Sequence, residues 1–208
     1  MTTDRRTAIL EGAARVIARR GVRGLRVEEL AAEAGVSTAL VYYHFKDRAG
    51  ILRHTLEFIS DRAERYTADE EGPTGPFDPR QELERSMLLE FQDRPEVREN
   101  STAWGELRAS AVFEPELRSE LARAGLTWVH EVAALLGQAC PLVPAPVLTA
   151  SAERLTALLE GLSTRWLSGA LSSTRARELM RDAVAVEIGH LARRWAVPED
   201  ASRYGGHP

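Results

Sequence analysis

The sequence predicts an all-α fold of about nine helices. Ala, Leu, Arg and Glu, which favour helices, dominate the composition, and apolar residues recur at spacings of three and four. No segment shows the apolar–polar alternation of a half-buried strand. The chain has 208 residues, 44% of them apolar, which suits one or two domains with a buried core.

Four helices are predicted in the first third of the chain. In order they are a first helix with Ile9, Ala13, Val16 and Ile17 inward, a short second helix with Leu30, Ala31 and Ala34, a third over 38–44, and a long fourth over 47–71. The segment "EEGPTGPFDP", with two glycines and three prolines, then breaks the helical pattern. We expect the fourth helix to pack on both sides of this break.

Further breaks divide the second half. Pro95 and Pro115 each precede a glutamate, a pair that suits the first turn of a helix. The segment "PLVPAP" precedes two long helices, over about 146–169 and 174–195. The predicted domains are residues 1–50 and 51–196, followed by a flexible tail over 197–208.

Several classes of protein are excluded by composition. No run reaches the roughly 18 apolar residues of a membrane span, and Glu11, Arg15 and Arg19 interrupt the apolar part of a secretory signal. The single cysteine, Cys140, gives neither a disulfide framework nor a cysteine zinc site. We therefore expect a cytoplasmic protein with no membrane partner, no metal and no cofactor.

Charge is distributed unevenly. Residues 1–50 hold nine basic and six acidic residues, a net charge of +3, whereas the whole chain has a net charge of −4. The remainder therefore carries −7. A basic N-terminal segment joined to an acidic remainder is typical of a phosphate-binding module joined to a domain of another kind.

The stretch "EELAAEAGVSTALVYYHF" predicts a helix, a tight turn and a second helix. Gly35 suits the left-handed residue that ends the first helix, and Ser37 suits the N-cap of the next. Such a helix-turn-helix inserts its second helix into the DNA major groove. Thr38 and Ala39 are small enough to approach base edges, while Tyr42, Tyr43, His44 and Arg48 can donate hydrogen bonds to phosphates. The alternative is a packed helical corner.

This stretch resembles the TetR family of one-component transcriptional regulators. The matching residues are Leu30-Ala31, Ala34-Gly35-Val36-Ser37, Val41-Tyr42-Tyr43-His44-Phe45, and Arg48 with Ile51 or Leu52. The resemblance is close over residues 5–55 and implies a three-helix DNA-binding domain with a helical ligand-binding and dimerisation domain. It implies the following DNA-binding residues: Arg26, Ser37, Thr38, Ala39, Tyr42, Tyr43, His44 and Arg48.

Two positions depart from the family pattern. Arg26 stands where the family has Thr or Ser, and it is a poor helix cap although it can bind phosphate. Arg48 replaces a lysine, which keeps the charge but changes its geometry. Both side chains could instead be solvated charges.

The resemblance also assigns roles to the second domain. It implies that the last two helices pair with those of a second subunit through Leu155, Leu159, Leu162, Met180, Val184, Ile188 and Leu191. The alternative is a purely intramolecular core. It further implies a ligand cavity, for which we select Met87, Phe91, Trp104, Leu107, Arg108, Phe113, Trp128 and Trp166. These residues could equally be ordinary core residues.

Two classes of effector fit these residues. Aromatic faces beside an acid such as Glu106 or Glu131 could hold a cation, whereas Arg108 could hold an acid. An enzyme is disfavoured because the five histidines are scattered and no phosphate loop or nucleophile motif occurs. We expect a homodimeric repressor that binds a palindromic operator and is released by a small molecule. An activator and a helical adaptor remain alternatives.

Overall fold

The computed structural model describes residues 4–68 and 76–195, with side chains described outside 64–68. The predicted tail over 197–208 lies outside the described residues, as does most of the glycine–proline break. The described part contains nine α-helices and no strand. These helices are α1 (Arg5–Arg20), α2 (Val27–Ala34), α3 (Thr38–Phe45), α4 (Arg48–Ala68), α5 (Pro79–Leu88), α6 (Pro95–Ser110), α7 (Arg118–Ala139), α8 (Ala145–Leu167) and α9 (Ser173–Arg194).

The all-α prediction is confirmed, and most helix boundaries lie within a few residues of those expected. Two short 3-10 helices, Val22–Gly24 and Pro115–Leu117, were not anticipated. The helix that begins at Pro79 ends at Leu88, and a short turn carries Phe91 before α6 begins. Pro95 begins α6, because proline has no backbone N–H and therefore cannot continue a preceding helix.

The first hydrophobic core joins the N-terminal helices to part of the second domain. The inward residues of α1, α2 and α3 pack with the first three turns of α4 and with residues of α6. Its fully buried members include Ile9, Ile17, Leu30, Val41, Leu52, Ile59 and Leu107. The boundary drawn at residue 50 therefore falls between residues that share one core, and α4 belongs to both domains.

The second core is built by α5, α7, α8 and α9. Its buried members include Leu83, Met87, Leu136, Leu155, Met180 and Leu191. The helix α6 lies between the two cores, since it packs on α1 and α4 and also contacts α8. Among the helices described here, none combines the length and apolar character that crossing a membrane requires.

Candidate nucleic-acid interface

Ion pairs hold α2 against α1. The Arg15 Nε donates to a Glu33 carboxylate oxygen at 2.7 Å, and Arg19 pairs with the other oxygen. These hydrogen bonds keep the pKa of Glu33 below its usual value. Arg20 pairs with Glu29 in the same interface. Part of the positive charge of residues 1–50 therefore stabilises the packing of α2 on α1 and is not available to a binding partner.

The turn between α2 and α3 has the predicted conformation. Gly35 ends α2 with φ 66° and ψ 35°, the left-handed region that glycine adopts without steric cost. Ser37 caps α3, and its hydroxyl accepts a hydrogen bond from the Leu40 backbone N–H at 3.2 Å. A helix of eight residues is too short to be stable alone, so this turn and the core beneath it hold α3 in place.

One face of α3 is buried and the other is exposed. Val41 and Phe45 are 0% and 2% exposed and anchor the helix in the first core. Tyr42 is 49% exposed and Tyr43 80% exposed, and Thr38 and Ala39 are also exposed. His44 is half-buried, with its ring 5.2 Å from the Tyr43 ring in an edge-on arrangement. The exposed rings contribute little to packing, so the structure leaves them available for a partner.

Arg26 and Arg48 have different environments. Arg26 is exposed and makes no side-chain cap for α2, as its poor capping chemistry predicts. The guanidinium of Arg48 is instead occupied inside the protein, because it donates to the Glu114 carboxylate and to the Val22 carbonyl, both at 3.0 Å. In this conformation two of the guanidinium N–H groups of Arg48 are used in hydrogen bonds within the protein.

The residues selected for a ligand cavity are divided between the two cores. Trp104 and Leu107 pack in the first core, while Met87, Phe91, Trp128 and Trp166 belong to the second. Phe113 is 72% exposed on the turn after α6, and its ring lies 5.6 Å from the Arg23 guanidinium. Because most of its side chain is exposed to solvent, Phe113 does not line an enclosed cavity in this conformation.

A polar cluster inside the second domain contains Arg108, which was selected for the cavity, and four residues that were not. It consists of Glu90, Ser101, Arg108, Glu160 and Ser163, contributed by α6, α8 and the turn after α5. Ser163 and Ser101 donate to the Glu90 carboxylate, and Arg108 Nη1 lies 2.5 Å from Glu160 Oε2.

Burial raises the pKa of Glu90 despite these hydrogen bonds. The sequence feature that could have indicated this cluster is Ser163, a polar residue among the inward Leu159, Leu162 and Trp166 of α8. The acids considered earlier, Glu106 and Glu131, are exposed.

Two aromatic residues lie close in sequence to this cluster, Phe91 beside Glu90 and Trp166 three residues after Ser163. The rings of Phe91 and Trp166 meet edge-to-face with centroids 6.0 Å apart. The Arg98 guanidinium lies 4.8 Å from the centre of the Trp166 ring, and the indole N–H donates to Asp93 at 3.4 Å. Trp104 lies on α6 between Ser101 and Arg108 in sequence but packs against the first core. An acid and two hydroxyls are thus placed together where α6 meets α8.

All seven residues assigned to the subunit interface are buried within the single chain. Their exposures range from 0% to 6%, since α8 and α9 turn these side chains toward each other, α5 and α7. The same two helices expose a different face. Its apolar and small residues are Ala157, Leu158 and Gly161 on α8 and Ala185 and Val186 on α9.

Comparisons with known proteins agree with this geometry. Residues 9–55 match the model described as bacterial regulatory proteins of the tetR family, and residues 79–189 match the C-terminal model of the BetI-type transcriptional repressor. The HTH-type transcriptional regulator BetI of Stenotrophomonas maltophilia is 28% identical over 171 residues, covering 80% of this chain and 82% of that protein.

Two solved structures extend the comparison. A TetR-family transcriptional regulator from Rhodococcus sp. is 48% identical with a TM-score of 0.79, covering 88% of this chain and 98% of its own. A transcriptional regulator from Saccharomonospora viridis in complex with choline is 28% identical with a TM-score of 0.71, covering 89% of this chain and 95% of its own. The proteins compared are regulators rather than enzymes. The chain therefore belongs to the TetR family of transcriptional regulators.

Proposed function

We propose that this regulator is a homodimeric repressor that binds a pseudo-palindromic operator through α3 and is released by a small cationic effector. The observation that carries the proposal is the exposed pair Tyr42 and Tyr43 on a helix fixed by its scaffold. Phenolic hydroxyls held in this way can donate to phosphates with little loss of side-chain freedom. The exposed Thr38 and Ala39 precede them, where the helix would approach base edges. It would act in the cytoplasm.

The face that supports dimerisation is the exposed side of α8 and α9. Leu158 is 39% exposed and Val186 68% exposed, and the small residues Ala157, Gly161 and Ala185 lie beside them in sequence. Small side chains allow two helix pairs to approach closely, while the apolar ones lose their contact with water. A two-fold pair of this kind would place its two α3 helices about 34–36 Å apart on DNA.

The proposed effector site is the polar cluster around Glu90. A partly enclosed carboxylate whose named hydrogen bonds come from serine hydroxyls suits a compact organic cation, and aromatic faces add to that preference. The placement of Arg98 over Trp166 shows that this ring already accepts a cation. The choline complex of the Saccharomonospora relative supports choline as the first probe.

Release requires that the effector prefer the conformation that does not bind DNA. The coupling free energy equals that preference, whatever the path between the two sites. The helix α6 contributes Ser101 and Arg108 to the cluster and also packs on α1 and α4. A shift of α6 on effector binding would therefore change the position of the DNA-binding helices.

Operator binding is tested by selecting duplexes from a random pool and measuring the affinity of the selected duplex as salt is raised. We expect a two-fold symmetric site and an affinity that falls steeply with salt, because phosphate contacts release counterions. A helical adaptor would select no sequence and show no such slope. Reporter expression from the selected site distinguishes a repressor from an activator.

The effector site is tested by following tryptophan fluorescence as choline is added. We expect choline to change the fluorescence of the wild type and to weaken its operator binding. Glu90→Gln should abolish both responses, and Glu153→Gln is the control because Glu153 is exposed on the same helix as Glu160. A choline response that survives in Glu90→Gln would remove Glu90 from the site.

A further inference from the structure

The residue that follows α3 has a strained backbone. Lys46 has φ 67° and ψ −56°, and it is the one residue other than glycine with positive φ in the described part of the chain. The Asp47 N–H donates to the Phe45 carbonyl at 2.8 Å, so residues 45–47 form a γ-turn of the rare type with positive φ. Glycine would adopt this conformation without the steric penalty that the lysine β-carbon introduces.

The neighbouring residues make this turn obligatory. A β-carbon at Gly50 would lie 2.1 Å from the Phe45 carbonyl oxygen, so the two segments are in close contact. The Asp47 side chain accepts the Gly50 N–H at 2.7 Å, which fixes the first turn of α4. The backbone at position 46 is therefore set by its surroundings and not by any preference of lysine.

The Lys46 side chain is exposed and free. Within residues 4–68 and 76–195 its ammonium has no ion pair or hydrogen bond, and Tyr42 and Tyr43 expose their rings on the helix that it ends. Lys46 is also the only lysine in the sequence, although Arg and Lys together number 27. Arg48, two residues later, is held by Glu114 and Val22. A strained residue whose flexible charged side chain has no structural partner indicates a functional requirement for that side chain.

We propose that the Lys46 ammonium binds a backbone phosphate at the C-terminal end of α3, the contact that the family resemblance assigned to Arg48. The inference rests on the DNA binding proposed above. It also gives Arg48 a different role, as the residue that ties the start of α4 to the turn after α6.

The test compares full-length wild type with Lys46→Gly and Lys46→Arg on the selected operator. Lys46→Gly should melt at a higher temperature, because the backbone strain is relieved, yet bind about tenfold more weakly. The loss should be uniform across duplex sequences, and the slope of log affinity against log salt should fall by about two, because the dimer loses one ammonium from each subunit. Lys46→Arg should bind as the wild type does.

Arg80→Gln is the matched control. It removes one exposed positive charge per subunit from α5, which packs on α7 and α9 and not on α3, so its salt slope should be unchanged. If Lys46→Gly has wild-type affinity and slope, or melts at a lower temperature, the inference is wrong while the proposed function stands. If the wild type itself selects no duplex, both fail.

A second measurement needs no variant. Sulfosuccinimidyl acetate acylates amines, so only Lys46 and the N-terminal amino group can react, and the latter serves as the internal reference. We expect operator DNA to slow acylation of Lys46 at least about fivefold relative to the reference, because a phosphate-bound ammonium is shielded. Equal rates with and without DNA would overturn the inference.

Discussion

The guanidinium of Arg48 lies 3.0 Å from the Glu114 carboxylate, and this ion pair joins the start of α4 to the turn that follows α6. Arg48 also donates to the Val22 carbonyl in the connection between α1 and α2. One side chain at the start of α4 therefore contacts two other segments, the connection between α1 and α2 and the turn after α6.

The first prediction concerns this ion pair. Arg48→Ala should lower the free energy of unfolding by about 1 kcal/mol, because both partners are only partly buried and the pair is partly screened by solvent. Urea denaturation measures the change. The salt slope of operator binding should remain that of the wild type, whereas a slope reduced by about two, one contact in each subunit, would return Arg48 to the phosphate contacts.

The second prediction concerns the turn between α3 and α4. Gly50→Ala should destabilise the fold by roughly 3 kcal/mol or more, since its β-carbon would lie 2.1 Å from the Phe45 carbonyl oxygen. Gly125→Ala in the middle of α7 is the control, because no heavy atom of a neighbouring residue lies within 4 Å of its added β-carbon. That control should gain about 0.5–1 kcal/mol. Similar unfolding midpoints for the two variants would contradict the turn geometry.

The segment from the end of α2 to the start of α4 shows which features the sequence predicts and which it does not. The turn at Gly35 and the cap at Ser37 could be predicted because local chemistry decides them. The strain at Lys46 could not, because it arises from the packing of α4 against Phe45 and runs against the preference of lysine itself. The pairing of Arg48 with Glu114 joins residues 66 positions apart, which no local pattern reports.

The second domain was predicted less completely for a related reason. Helical spacing identified the inward stripes of α8 and α9, but a stripe does not reveal whether its partner is the same chain or a second one. Leu159 and Ile188 were assigned to a subunit interface, and the structure buries them inside the chain. The cluster around Glu90 forms where α6, α8 and the turn after α5 meet. In the sequence, only the polar Ser163 within an apolar stripe indicated it.

The third prediction follows from the raised pKa of Glu90. In the folded protein, burial makes the charged form less favourable than in the unfolded chain. Protonated Glu90 is therefore favoured in the folded state. The stability that this preference gives the fold is fully present below the unfolded pKa and is lost as the pH rises through the folded pKa. Glu90→Gln, which is neutral at every pH, should melt at a higher temperature than the wild type above that range.

The difference in melting temperature should shrink as the pH falls toward the ordinary pKa of a glutamate. Thermal unfolding in a series of buffers measures it, and a difference that stays constant with pH would show that the Glu90 carboxylate is not buried in the way described. Glu153→Gln should give no such pH-dependent difference, since Glu153 is exposed.

The fourth prediction concerns the subunit interface. Leu158→Glu combined with Val186→Glu should convert the dimer to a monomer, because charges would replace apolar side chains at the centre of the proposed interface. Sedimentation velocity measures the mass in solution. Leu142→Glu is the control, since Leu142 is 60% exposed in the connection between α7 and α8. A double variant that sediments as the wild type does would place the interface elsewhere.

The central claim is that the exposed tyrosine face of α3 binds DNA, and fluorescence anisotropy of the selected operator tests it most directly. The double variant Tyr42→Phe with Tyr43→Phe removes only two hydroxyl groups, on side chains that are 49% and 80% exposed, so the fold should be unchanged. We predict affinity about tenfold weaker or more, with every duplex weakened alike. Wild-type affinity in a correctly folded double variant would contradict the claim.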